Sequence, residues 1–294
     1  MKLLVIGGVS YDEIVTLDRL PDGKAATLFG HSRHMVGSTG VGKALALTKL
    51  GIPCTLQSPI GLDEAGAIVR AYLAKNRVDC VFDSVEETER HINLMDAMGQ
   101  RISIFVTTVP TRIDVDKHRL ATLMDSADLI ILNIIPYAKS LIPMIKASGK
   151  PVWTDLHDYE AKNPYYDDFI EIAETIFLSD DRFPEYLPFM EQLIAKGKQL
   201  VVVTHGKKGA TAMDKNHQLR YEPIVSDFDA IDSNGAGDSF FAGFLYGYLQ
   251  GCKLEISLKY GAISGGMAVA SYELVNQELS AEALKKIYHK YYEE

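Results

Sequence analysis

The stretch Asp232-Ser233-Asn234-Gly235-Ala236-Gly237-Asp238, continuing as Ser239-Phe240-Phe241-Ala242-Gly243-Phe244, decides how the chain is read. A polar run ends in three small residues and passes directly into an apolar, helix-forming segment. Small residues at 235–237 let the backbone come close to a ligand. The first turn of the helix offers N–H groups with no partner inside the helix, which makes it an anion site. Asp238 lies in that first turn, where the helix dipole favours its charged form. A carboxylate beside an anion cradle suits phosphoryl transfer to a hydroxyl: the carboxylate, as base, takes the proton while the amides hold the charge on the moving group. Taken alone, the same residues also suit a Gly-rich helix cap with Asp238 as a capping residue.

Outward from that stretch, short β-branched runs alternate with amphipathic segments. Leu3–Ile6, 55–58, 129–132, 152–154, 175–178 and Leu200–Thr204 read as buried strands. Between them lie helical patterns such as 41–50, closed by Gly51, and 64–75, preceded by Asp63 as an N-cap. Alternating βα units imply a mostly parallel sheet sandwiched by helices. Two regions break the rhythm. Residues 14–17 with 28–35, and 90–95 with 101–107, alternate in the strand manner, the second pair joined by a hairpin turn at 96–100. They predict a small accessory sheet. No Pro/Gly/Ser linker divides the chain, so 1–294 is expected to be one α/β domain with pieces inserted at about 13–36 and 88–107.

Several motifs resemble the PfkB carbohydrate kinase family, the ribokinase-like kinases. Residues 232–238 match its second signature, D-T-x-G-A-G-D, with Ser233 in place of Thr. The resemblance implies Asp238 as the catalytic base and Gly235, Ala236 and Gly237 as the anion hole. Val201-Val202-Val203-Thr204-His205-Gly206-Lys207-Lys208-Gly209-Ala210 is similar to the family's nucleotide segment, V-V-T-x-G-x-x-G-A, and assigns Thr204, Gly206 and Gly209 to ATP. Gly7-Gly8-Val9-Ser10-Tyr11-Asp12 resembles the family's G-x-x-x-x-D, whose Asp holds substrate hydroxyls, here Asp12. Gly61-Leu62-Asp63-Glu64-Ala65-Gly66 matches its structural G-x-D-x-x-G turn. The two inserted strand pairs fall where these kinases carry a β-sheet lid over the sugar.

Gly37-Ser38-Thr39-Gly40-Val41-Gly42-Lys43-Ala44 nearly spells a P-loop, but Ala44 has no hydroxyl for Mg²⁺ and no buried strand leads into it. It aligns better with the family's first signature, G-G-x-x-x-N-x-A. Gly37 matches, Ser38 replaces the second Gly and Gly42 replaces the Asn that binds a sugar hydroxyl. Substrate contacts are therefore expected from Asp12, Gly37, Ser38 and Gly42, with the acceptor's identity open. Thr39 and Leu45 stand where phosphosugar kinases carry basic residues, which argues against a phosphorylated acceptor. The family's N-x-x-E has Asp180 for Asn and Phe183 for Glu; Asp180 is carried as a Mg²⁺ ligand through water. The resemblance also implies a monovalent cation, K⁺, beside Asp232. His31 and His34, three apart on a strand, face opposite sides and do not suggest a shared metal.

Thirty Lys and Arg against 39 Asp and Glu give a net charge of −9, with no basic face for nucleic acid. Three cysteines without a C-x-x-C point to a reducing compartment, and no apolar run suits a signal peptide or membrane span, so a cytoplasmic location is expected. The expectation is an ATP-dependent, Mg²⁺-requiring kinase that phosphorylates a small sugar, without nucleic-acid or membrane partners. The alternatives are a nucleoside kinase and a non-catalytic sugar- or nucleotide-binding relative. Lid edges in this family often pair between subunits, which implies a homodimer through the lid as an option.

Overall fold

In the structure, a computed structural model, residues 1–24, 27–96 and 100–293 are described. Among them the strands are β1 (Leu3–Ile6), β2 (Ser10–Leu17), β3 (Gly30–Gly37), β4 (Cys54–Gly61), β5 (Asp79–Val85), β6 (Arg90–Asp96), β7 (Arg101–Thr107), β8 (Leu129–Asn133), β9 (Val152–Asp155), β10 (Thr175–Ser179), β11 (Leu200–Thr204), β12 (Ala210–Asp214) and β13 (Leu219–Glu222). The helices are α1 (Thr39–Lys49), α2 (Glu64–Lys75), α3 (Lys117–Ser126), α4 (Pro136–Ser140), α5 (Ile142–Ser148), α6 (Asp167–Ile172), α7 (Tyr186–Ala195), α8 (Ala236–Leu249), α9 (Leu254–Val269) and α10 (Ala281–Tyr292).

A nine-stranded sheet runs in the order β13-β12-β11-β10-β9-β8-β1-β4-β5. From β5 to β11 neighbouring strands are parallel; β12 and β13 close one side as an antiparallel meander. The central strands are apolar on both faces because helices cover both. Leu3 and Val5 of β1 join a core with Val41 of α1, Val69 of α2, Phe241 of α8, Ile263 of α9 and Leu284 of α10. Leu4 and Ile6 point the other way, into a core with Leu120 of α3, Tyr137 of α4, Ile145 of α5, Phe169 of α6 and Met190 of α7. The expected ribokinase-like α/β sandwich is what forms.

A second, four-stranded sheet runs β3-β2-β6-β7. β2 pairs antiparallel with β3, and β6 with β7, while β2 and β6 are parallel. β2 starts at Ser10 and β3 ends at Gly37, beyond the predicted 14 and 35. Ser10 and Asp12 are buried polar residues, so apolar alternation cannot report that end of the ladder. Of the predicted hairpin turn, residues 97–99 lie outside the described residues; beside them the Asp96 amide donates to the Gln100 carbonyl at 3.2 Å.

Two local features fix the helices that carry chemistry. Asp63 caps α2, accepting from the Gly66 amide at 2.9 Å, as the turn motif predicts. α8 and α9 approach closely: a Cβ at Gly243 would stand 2.5 Å from the Tyr260 carbonyl oxygen, so α8 has no room to slide. No helix among the described residues is long and apolar enough to cross a membrane. Cys54, Cys80 and Cys252 are free thiols.

Candidate active site

The carboxyl ends of β1, β8, β9, β10 and β11 lie along one edge of the large sheet, where doubly wound folds place ligands. β1 leaves that edge through Gly7-Gly8, and β9 ends there at Asp155. α1 starts against the same exit. A Cβ at Gly40 would fall 2.5 Å from the Gly8 carbonyl oxygen, so the β1 exit and the first turn of α1 touch backbone to backbone. Ser38, just ahead of α1, has φ 76° and ψ 148°, a left-handed conformation natural to the Gly it replaces. Such a residue costs about 1–3 kcal/mol and persists where the surroundings over-determine it.

At the centre is a buried ion cluster. Lys43 of α1 is fully enclosed, and its Nζ lies 2.5 Å from Asp238 Oδ1 and 2.9 Å from Asp155 Oδ2. Gly42 makes room for this: a Cβ there would overlap Asp238 Oδ2. The residue standing for the family's Asn thus backs directly onto the carboxylate. Burial works against all three charges, and the two carboxylates respond differently. Burial outweighs the attraction of Lys43 at Asp238 and raises its pKa. At Asp155 burial is outweighed by His157 and Lys43, which hold the carboxyl down at about 2. The His157 amide also donates to Asp155 Oδ1 at 2.9 Å. Against the burial cost, both carboxylates keep the Lys43 ammonium protonated, with a raised pKa. Two carboxylates on one ammonium are therefore driven apart: Asp155 is the permanent counter-ion, and Asp238 is the one suited to accept a proton. The dipole of α8 alone does not keep Asp238 low, contrary to the expectation from its position in the first turn.

Asp238 sits in the first turn of α8, and Gly235 caps the helix with φ 72°. Space beside Gly237 is open, with nothing within 4 Å of a Cβ placed there. Among the described residues the amides of Gly237 and Asp238 have no acceptor. Unpaired donors, open space and a helix N-terminus are the features that suit an anion.

Asp12, buried in β2, accepts from the His91 amide at 3.2 Å and pairs with His91 Nδ1, also at 3.2 Å. His91 Nε2 reaches Glu89 Oε1 at 3.1 Å. Burial opposes the charged imidazole, but the two carboxylates outweigh it and raise its pKa to about 9. Gly37 flanks Asp12, where any Cβ would collide with the carboxylate. Asp12, Gly37 and Ser38 thus converge at the root of the small sheet, while Gly42 belongs with Asp238.

The β11–β12 turn holds Thr204, Gly206 and Gly209. His205 within it is buried, its Nδ1 2.7 Å from Asp180 Oδ2 and its Nε2 2.8 Å from Thr211 Oγ1. The Asp180 amide donates to the Thr204 carbonyl at 3.1 Å, so Asp180 and the turn form one unit. Asp232 accepts at Oδ1 from the Asn234 amide at 2.8 Å and at Oδ2 from the Arg33 guanidinium. Arg101 Nη1 of β7 donates to Asn234 Oδ1 at 2.9 Å.

Lys43, Asp155, His157, His91, Arg33 and Arg101 were not among the predicted site residues. Lys43 carried the one usable signal: a lone charge inside the run 40–47, where every other residue is small or apolar, points to a buried partner.

Two outcomes follow from these ion clusters. Lys43→Met strands two carboxylates, and denaturant unfolding should show a loss of about 3–5 kcal/mol with nucleotide affinity retained. Adding Asp155→Asn should recover part of that loss; unchanged stability in Lys43→Met contradicts the cluster. For His91, the folded pKa of about 9 stands above the model-peptide 6.5. Its stabilising contribution, on the order of a few kcal/mol, is fully present below pH 6.5 and fades as pH rises through about 9. The melting-temperature difference between wild type and His91→Gln should accordingly shrink between pH 6 and pH 10; a constant difference contradicts this.

Comparison with known proteins places this geometry in context. The pfkB family carbohydrate kinase pattern matches residues 171–280. The acarbose 7(IV)-phosphotransferase of an Actinoplanes species is 28% identical over 274 residues, covering 90% of this chain and 91% of that protein. A nucleoside kinase from Methanothermobacter thermautotrophicus is 26% identical over 286 residues, covering 92% of this chain and 88% of that one. Among solved structures, a microbiome-derived acarbose kinase superposes with a TM-score of 0.85 at 27% identity, covering 97% of this chain and 98% of that one. The fold, the signature at 232–238 and these similarities agree: residues 171–280 match the pfkB family carbohydrate kinase domain, and the chain is similar along its length to sugar and nucleoside kinases.

Proposed function

We propose that the protein transfers the γ-phosphoryl group of ATP to a hydroxyl of a small sugar, with Asp238 as general base. The observation that carries this reading is the buried Asp238 carboxylate in the first turn of α8, fixed through Oδ1 by Lys43 and set beside unpaired backbone amides. The acceptor O–H gives its proton to Asp238 while its oxygen bonds to Pγ, and the bond from Pγ to the bridging oxygen of ADP breaks. Burial, which raises the Asp238 pKa, makes it a stronger base than a solvated carboxylate. Lys43 keeps that carboxylate in one orientation, and the free amides of Gly235 and Gly237 take the charge on the transferring oxygens; the Ala236 amide, expected to join them, already donates to the Ser233 carbonyl at 3.3 Å.

Asp12, anchored by His91, and the Ser38 hydroxyl are assigned to the sugar. Gly42 contributes no contact of its own in this reading; it clears space for the base. Thr204, Gly206 and Gly209 are assigned to the nucleotide. Mg²⁺ bound with ATP would neutralise phosphate charge, and Asp180 fits the task of holding its waters because its side chain is partly exposed at the same turn. The similarity to acarbose kinases favours a sugar acceptor; the similarity to a nucleoside kinase supports a nucleoside as second choice. β7 is an edge strand with Ile102, Ile104, Phe105 and Val106 exposed, and it supports a homodimer formed through the lid.

Asp238→Asn should lose about three orders of magnitude or more in kcat while its ATP affinity stays within a few-fold of wild type. Comparable turnover in that variant contradicts the base assignment. In light scattering, wild type should have the mass of two chains and Ile104→Glu/Phe105→Glu that of one; a monomeric wild type contradicts the dimer.

A further inference from the structure

Asp232 is where the family resemblance implies a monovalent cation, and its surroundings do not fit one. Both carboxylate oxygens are engaged, Oδ1 by the Asn234 amide at 2.8 Å and Oδ2 by the Arg33 guanidinium. The same guanidinium donates through Nη1 to the Tyr272 carbonyl at 3.0 Å and lies 5.6 Å from the Tyr272 ring centroid. A buried carboxylate and a carbonyl from a neighbouring loop are the oxygen donors that a hard cation would draw together. Here a side chain of β3 does so with a fixed positive charge.

The position of that charge matters for the anion cradle. Gly235 is pressed against the Leu274 carbonyl, and Arg33 ties Asp232 on one side of this contact to Tyr272 on the other. The small sheet grips the loop at further points. Arg101 of β7 donates to Asn234 Oδ1, and Asn234 Nδ2 lies 3.3 Å from Met95 Sδ of β6. Three strands of the small sheet thus hold the residues that lead into Gly235.

We infer that Arg33 is a positioning residue that takes the place of a monovalent cation, neutralising Asp232 and setting the anion cradle from the lid. The inference rests on the kinase reading above. It makes phosphoryl transfer independent of potassium and dependent on the lid strand that carries Arg33. Guanidinium suits this task because it is always charged and donates in two directions at once.

The test compares wild type, Arg33→Ala and Arg33→Lys in KCl and in choline chloride at equal ionic strength, reading melting temperature and kcat. Wild type should give the same values in both salts. Arg33→Ala should lose at least about tenfold in kcat in choline chloride, partly restored by potassium or by millimolar guanidinium. Its melting temperature should rise with potassium specifically, because an ion bound only to the folded state stabilises it. Arg33→Lys should remain indifferent to potassium. Several-fold potassium activation of wild type, or an Arg33→Ala variant with wild-type kcat, overturns the inference. Where Arg33→Ala folds poorly, the wild-type salt comparison and Arg33→Lys decide the matter. Failure of the kinase reading has a different signature, no ADP release by wild type in either salt; the melting comparison then still tests the site.

Discussion

An ammonium group with no access to water has to be matched by carboxylates, and the site is organised around that requirement at Lys43. Its partners come from β9 and α8, so one nitrogen atom holds together α1, a central strand and the helix that carries Asp238, the proposed base. α1 is further pinned at its start by Gly40 against Gly8, and α8 along its length by Gly243 against α9. Displacing any of these elements would leave a charge buried without its partner. The cluster therefore fixes geometry and proton affinity with the same contacts. Asp155 holds its negative charge permanently, which leaves Asp238 free to change protonation state.

The large sheet contributes a strand edge, and side chains of the small sheet reach the loop ahead of α8. Asp12 and His91 belong to the small sheet, as do Arg33 and Arg101, which reach the loop ahead of α8. The residues proposed to contact the acceptor and those proposed to orient the anion cradle thus share one four-stranded unit. Movement of that unit would change both halves of the site together. Such coupling is a physical route by which acceptor binding can help assemble the cradle.

Local pattern carried most of the fold. Leu200–Thr204 and the helix over 64–75 with its Asp63 cap are read at their observed bounds, because apolar runs and caps are encoded by neighbours in sequence. The glycines at 235 and 237 were legible for the same reason: a loop entering a helix N-terminus is a local event. The polar contacts were not. Lys43 meets Asp238 across 195 residues, and Arg33 meets Asp232 across 199. No periodicity links such positions. Lys43 instead resembled a P-loop lysine, a likeness that the strand order removes, since β3 belongs to the small sheet. The start of β2 was hidden for a related reason, its buried positions being Ser10 and Asp12.

The net charge of −9 carried no trace of the proposed anion site, because that site consists of backbone amides and the nearby cations are neutralised by Asp155, Asp238 and Asp232. The measurement that tests the account most directly is ADP release from ATP across a panel of sugars, sugar phosphates and nucleosides. Release should depend on the acceptor, occur with an unphosphorylated sugar and fall by about three orders of magnitude or more in Asp238→Asn. ATP binding without release for every acceptor, or equal release by Asp238→Asn, would contradict it.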